Sequence, residues 1–231
     1  MIAVADLGTA RSTFRDTLGF TLKPGRVHEN GLENVHIRFG DGSALELMTT
    51  GEGHADGLSE WYSRFLARGD GGAFVALRAG PADTVLGRLG ELAAEADVVE
   101  GRAFDWVSFP EGHPLHSVFF VHVRVRPPDE PVHLQHANGT SGLGEVWLEV
   151  PNPEKLGEVL KRFGSSPCGE IEGLADLVGK GHGLAGGTLV GVPIDPARGG
   201  YRILSVVLGG EPGLPAVQSA GVWLSWRGAV P

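Results

Sequence analysis

Nine histidines occur in 231 residues, and five of them, His113, His116, His122, His133 and His136, fall between positions 113 and 136. Imidazole exchanges a proton near neutral pH and is the commonest protein metal ligand, so this density suits acid–base or metal chemistry. The pairs His113-Pro-Leu-His116 and His133-Leu-Gln-His136 lie beside Pro-rich loops, and two readings stand for them: working imidazoles, or solvated pairs. A divalent ion in an N/O site needs three or four deprotonated groups within about 2.0–2.2 Å of one point. Trp147, Trp106, Phe104 and Phe120 have the bulk to line an apolar pocket or to fill it as core.

Other chemistries lose their usual support. Gly181-His-Gly183-Leu-Ala-Gly186 has the spacing of a dinucleotide fingerprint but precedes a strand instead of joining strand to helix, and reads as a flexible turn. There is no Gly-x-Ser-x-Gly, Walker or His-Glu-x-x-His motif. The single cysteine, Cys168, has no partner for a disulfide or a CxxC site.

The elements that must position these residues repeat. Ile2-Ala3-Val4 reads as a strand, Asp6 as a helix cap, and Leu7, Ala10, Phe14 and Leu18 recur at helical spacing until Gly19. The pattern returns at Val146 to Val150 with Asn152 as cap, and more weakly at Ala73 to Leu77 before Pro81. Strands are expected over 20–22, 34–39 and 43–48, the last two joined by Gly40-Asp41-Gly42, and then over 102–109, 115–126, 188–194 and 201–208. Leu58 to Leu66 reads as a connecting helix. The organisation expected is two βαβββ modules, 1–50 and 72–126, paired within 1–126, then a third βαββ-like module with a C-terminal tail over 127–231.

Alternation assigns Ile2, Val4, Leu45, Leu47, Phe119, Val121, Val123, Val146, Leu148 and Val150 to a face under the helices. The opposite face holds Ala3, Glu46, His116, Phe120, His122, Arg124, Glu145, Trp147 and Glu149. This set is too polar for a sealed core. The fold class is therefore α+β, a curled mixed sheet with helices outside and a ligand cleft inside. His116, Phe120, Arg124 and Trp147 are the residues expected to touch substrate.

Three segments, Ile2 to Leu7, Phe14 to Phe20 and Asn34 to Leu47, with Phe119-Phe120-Val121-His122 and His136 to Leu143, resemble the vicinal oxygen chelate superfamily. More narrowly, they are similar to its glyoxalase-like domain proteins, of the glyoxalase, bleomycin-resistance and dioxygenase type, over roughly residues 1 to 165. The resemblance implies a divalent metal, Zn, Mn, Fe or Ni, held from the first and last strands of paired modules. It places Glu46 as ligand or base and His122 as its counterpart in the second module. Glu145 and His136 are the further ligand candidates. The family's first-strand histidine falls three residues before Ile2, upstream of Met1. Gly72 takes that place in the second module and Glu145 in the third. His28 and Asn34 would sit at the cleft mouth. Two functions stay open: a metal-dependent lyase, isomerase or dioxygenase acting on vicinal oxygens, or a metal-free small-molecule binder on the same fold.

Composition bounds both readings. A net charge of −9 without basic clusters argues against nucleic acid, and no apolar run is long enough to span a membrane. The chain reads as cytoplasmic, lacking a basic leader. An odd number of modules leaves one without an internal partner, from which a homodimer is expected.

Overall fold

The computed structural model describes residues 1–53, 55–173, 177–195, 203–210 and 215–227. The expected strand start at Tyr201, and positions 211–214 and 228–231 of the tail, lie outside the described residues. In chain order the first module comprises β1 (Ile2–Ala3), α1 (Leu7–Ser12), β2 (Lys23–Val27), β3 (Leu32–Arg38) and β4 (Ala44–Thr50). Next come α2 (Gly57–Leu66), β5 (Gly71–Gly72), β6 (Val75–Arg78), α3 (Ala82–Leu89), β7 (Asp97–Glu100), β8 (Phe104–Ser108) and β9 (Val118–Val123). The remainder is β10 (Gly142–Val150), α4 (Pro153–Arg162), β11 (Ser166–Glu172), β12 (Val178–Leu184), β13 (Gly187–Pro193), β14 (Ile203–Gly209), β15 (Val217–Ser219) and β16 (Val222–Arg227). The class is α+β, as expected, with four α-helices among the described residues.

The chain forms two compact units. One comprises residues 1–73, 129–146 and 203–231, and the other residues 74–128 and 147–202.

In the first unit the strands run β14-β5-β1-β4-β3-β2, with β16 beside β14 and β15 beside β16. Asp6 accepts a hydrogen bond from the Thr9 N–H and caps α1, which widens into a π-helical turn over Thr13–Thr17 before Gly19 at φ 75°. Ile2, Val4, Leu7, Ala10, Phe14, Leu45 and Leu47 are buried together, as alternation requires. The strand expected over 20–22 lies instead at Lys23–Val27. The Thr21 N–H donates to His136 Nδ1 at 3.0 Å and the Thr21 hydroxyl to the Gln135 carbonyl at 2.5 Å, so residues 135–136 occupy the place of a partner strand. Phe20 is buried among Phe14, Phe39 and Trp226. Gly72 has a packing role, because a Cβ there would collide with the Ile203 side chain where β5 meets β14.

The second unit contains the sheet β6-β9-β8-β7 and the antiparallel ladder β11-β12-β13. Asn152 caps α4 through the Lys155 N–H, and Leu156, Val159 and Leu160 of that helix are buried. The expected face of β9 is inverted. Val118 and Phe120 are the buried positions, Phe120 stacking on Phe163 at 4.2 Å, while Phe119, Val121 and Val123 are half-buried on the other side. The glycine run at 181–186 is a turn only at Ala185-Gly186, between β12 and β13. Gly181 and Gly183 lie within β12, where the Ile171 side chain occupies the space a Cβ at Gly181 would need.

Candidate functional site

The polar face of the first unit is built by register. In the β3–β4 ladder His36 faces Glu46, Asn34 faces Met48 and Arg38 faces Ala44, and β2 sets Lys23 opposite His36. Directly opposed residues share a face, so Lys23, Asn34, His36, Arg38 and Glu46 project from the same side. A bulge in β2 between Pro24 and Val27 brings Gly25 against Asn34, with no room for a side chain at Gly25. The Asn34 side chain lies across that bulge and its Oδ1 accepts from the Arg26 N–H at 2.8 Å. Its Nδ2 is thereby turned toward Glu46 and donates to Oε1 at 2.6 Å. The second Glu46 oxygen has no hydrogen-bond donor among the described residues. One oxygen is thus anchored by Asn34 and the other is not.

The surroundings hold imidazole neutral. Burial takes His36 below its ordinary value; Glu46 and Asp129 act upward, and Lys23 and His28 act further downward. Burial and then Arg26 lower His28, again against Glu46. Burial, aided by Glu46, pushes the Tyr62 phenol well above its usual range. Burial brings the Met1 α-amino group down to about 6, with Glu46 acting in the opposite direction. At one end of the face Asp129 joins two cations, accepting from Lys23 Nζ at 2.6 Å and from Arg38 Nε at 3.3 Å.

The other expected site residues are placed as follows. His136 uses both ring nitrogens inside the fold, Nδ1 accepting from the Thr21 N–H and Nε2 donating to the Arg38 carbonyl at 3.0 Å. Neither ring nitrogen is left for a metal in that arrangement. Glu145 accepts from Arg227 Nη1 at 2.6 Å. His122 lies in the second unit opposite Asp105, and Arg124 donates to the same aspartate at 2.7 Å. Asp105 is buried, which raises its carboxyl, but the Arg124 and Gly101 hydrogen bonds bring the net below the ordinary value. His116 is buried with Nδ1 at 3.0 Å from the Phe109 carbonyl and its ring edge-on to Phe74. Trp147 is buried against Gly173. Phe120 is core.

The equivalence of Glu46 with His122 is corrected by counting back from the helix caps. Four residues before Asp6 stands Ile2, paired in parallel with Leu47, and four before Pro81 stands Leu77, paired in parallel with Phe120. Glu46 therefore corresponds to Phe119, and the first-strand position assigned to Gly72 corresponds to Phe74. Among the described residues no three His, Cys, Asp or Glu side chains form a group that could hold a metal ion. The metal implied by the resemblance thus does not fit the donor set described. His36, Arg38 and Lys23 were not singled out from sequence. The signal for two of them was the alternation Asn34, His36, Arg38 along β3.

The glyoxalase-like domain family matches residues 1–164. Among solved structures, a hypothetical protein from Staphylococcus aureus is similar at TM-score 0.66 and 11% identity, covering 98% of this chain and 97% of that one. A 4-hydroxymandelate synthase variant from Streptomyces coelicolor is similar at TM-score 0.62 and 16% identity, over 90% and 69% of the two chains. A homoprotocatechuate 2,3-dioxygenase variant from Brevibacterium fuscum gives TM-score 0.56 and 13% identity, over 90% and 55%. No curated protein sequence matches. At these identities the structures speak to the fold, and the family match spans most of the chain. The chain belongs to the glyoxalase-like domain family.

Proposed function

We propose that this protein acts on a small organic molecule at the Glu46 face, moving a proton to and from carbon next to a carbonyl. The observation that carries the reading is the Asn34–Glu46 bond, which anchors one carboxylate oxygen of a residue whose cross-strand partner is His36. In the reaction, Glu46 Oε2 takes the proton, the C–H pair moves into the carbonyl as an enolate, and His36 is placed to donate a hydrogen bond to the oxygen that gains charge. Return of the proton to the same or the neighbouring carbon gives epimerisation or isomerisation. No step is assigned to a metal, because the described donors do not form a metal group. A metal-free binder without turnover is the second reading, and the same donor set is equally compatible with it.

The test is solvent exchange. Hydroxyacetone, dihydroxyacetone and 2-oxobutanoate are incubated with the protein in deuterated water, and loss of C–H signal is followed by proton NMR. The enzyme reading expects protein-dependent exchange in at least one compound, slowed about 100-fold or more in E46Q, since a positioned base contributes ~10²–10⁴. Binding without exchange establishes the second reading. Exchange unaffected by E46Q overturns the assignment of the base.

A further inference from the structure

We infer that the ligand of this face is a small organic acid whose carboxylate is received by Arg38. The inference rests on the Glu46 reading above and names its substrate class. Arg38 and His36 are two residues apart on β3, and Glu46 faces His36. A carboxylate at Arg38 and a reacting carbon at Glu46 are then about 7 Å apart along the strand. That spacing admits a compact acid.

Three observations support the anion. First, Asp129 is shared by Lys23 and Arg38, so that end of the face has one positive charge in excess. Second, Arg38 Nη2 is buried with no hydrogen-bond partner among the described residues, which is costly for a charged donor unless an acceptor reaches it. Third, Ala44 faces Arg38 across the ladder, so the residue opposed to it is small, and 15% of the Arg38 side chain stays exposed. A planar guanidinium edge matches a carboxylate. A dianion fits less well, because Glu46 supplies negative charge at the other end of a short site.

The probes are lactate, its neutral isostere lactamide, and inorganic phosphate, titrated at constant ionic strength with backbone amide shifts of residues 34–46 as readout. Lactate should move these amides, lactamide at the same concentration should not, and R38Q should weaken lactate at least tenfold with its thermal midpoint recorded as a folding control. D129N, which frees both cations, should tighten lactate several-fold, a gain that a purely structural Arg38 would not give. Equal response to lactate and lactamide, or lactate binding untouched by R38Q, overturns the inference. So does no response to any probe. Response to phosphate alone replaces the organic acid by a phosphate-bearing ligand. Exchange in neutral hydroxyacetone with no lactate response would remove the acid and keep the Glu46 reading. Lactate bound at Arg38 without exchange in any compound would do the reverse.

Discussion

Asn34 Nδ2 stands 2.6 Å from Glu46 Oε1, and the same side chain's Oδ1 accepts from the Arg26 N–H. The amide therefore has one orientation compatible with both partners, set by the β2 bulge and not by Glu46. N34A should slow C–H exchange at least tenfold, through loss of a charge-assisted bond, and lower stability by about 1–2 kcal/mol. N34D sets a second carboxylate against Glu46 and should be worse on both counts. Exchange rates and urea unfolding of the same preparations check this. Full exchange in N34A would show that Glu46 needs no anchor.

His136 should be a neutral imidazole with the proton on Nε2, because Nδ1 accepts the Thr21 N–H. Ring ¹⁵N shifts read this directly.

The acid limb of stability follows from the same group. Burial lowers His136 from 6.5, and the folded state thus resists protonation more than the unfolded chain. The sign is fixed: this stability is fully present above about pH 6.5 and is lost as pH falls through the folded value. His28, His36, His113 and His182 are lowered in the same direction, each chiefly by burial, so the losses add. Urea midpoints at pH 7 and pH 5 should fall steeply, and less steeply in H136Q, which should cost about 2–4 kcal/mol at pH 7. A flat profile between those pH values would contradict the buried neutral imidazoles.

G72A should destabilise the first unit by about 1–3 kcal/mol, because the added methyl meets the Ile203 side chain and backbone. G42A, at a site open to solvent but at φ 86°, should cost only the backbone strain, about 1 kcal/mol. Equal costs would mean that β5 and β14 part to make room.

D105N should lower the thermal midpoint, since Asp105 is buried and takes the Arg124 hydrogen bond as well as the Gly101 N–H. R124Q should do so by less, and the double variant by less than the sum. Additivity would show that the two side chains do not depend on each other.

Much of this was legible from local chemistry. Asp6 and Asn152 are short acceptors ahead of amphipathic runs, and both cap helices; Leu45, Glu46 and Leu47 alternate as their burial does. β9 was read out of phase because its apolar run, Phe119 to Val123, has bulky residues on both faces. Only the pairing of Leu77 with Phe120 sets the count. The histidine density signalled chemistry, yet His136 is consumed by backbone partners at residues 21 and 38, which no spacing reveals. β12 was invisible because glycine carries no strand signal and the bulk that covers it comes from Ile171 of β11, and β11 because it is almost wholly exposed and lacks an apolar alternation.

The sharing of residue 21 with residues 135–136, and of Leu18 with Asn138 at 2.7 Å, bears on how the chain is made. A ribosome releases the first module long before it has polymerised the residues that close its edge, and β14 and β16 follow later still. The N-terminal third emerges with open ladder edges and an unfilled socket around Phe20, and its completion must wait for residues 203–227. Truncation before position 140 should thus yield an aggregation-prone fragment, and slow late translation should be harsher on this protein than slow initiation.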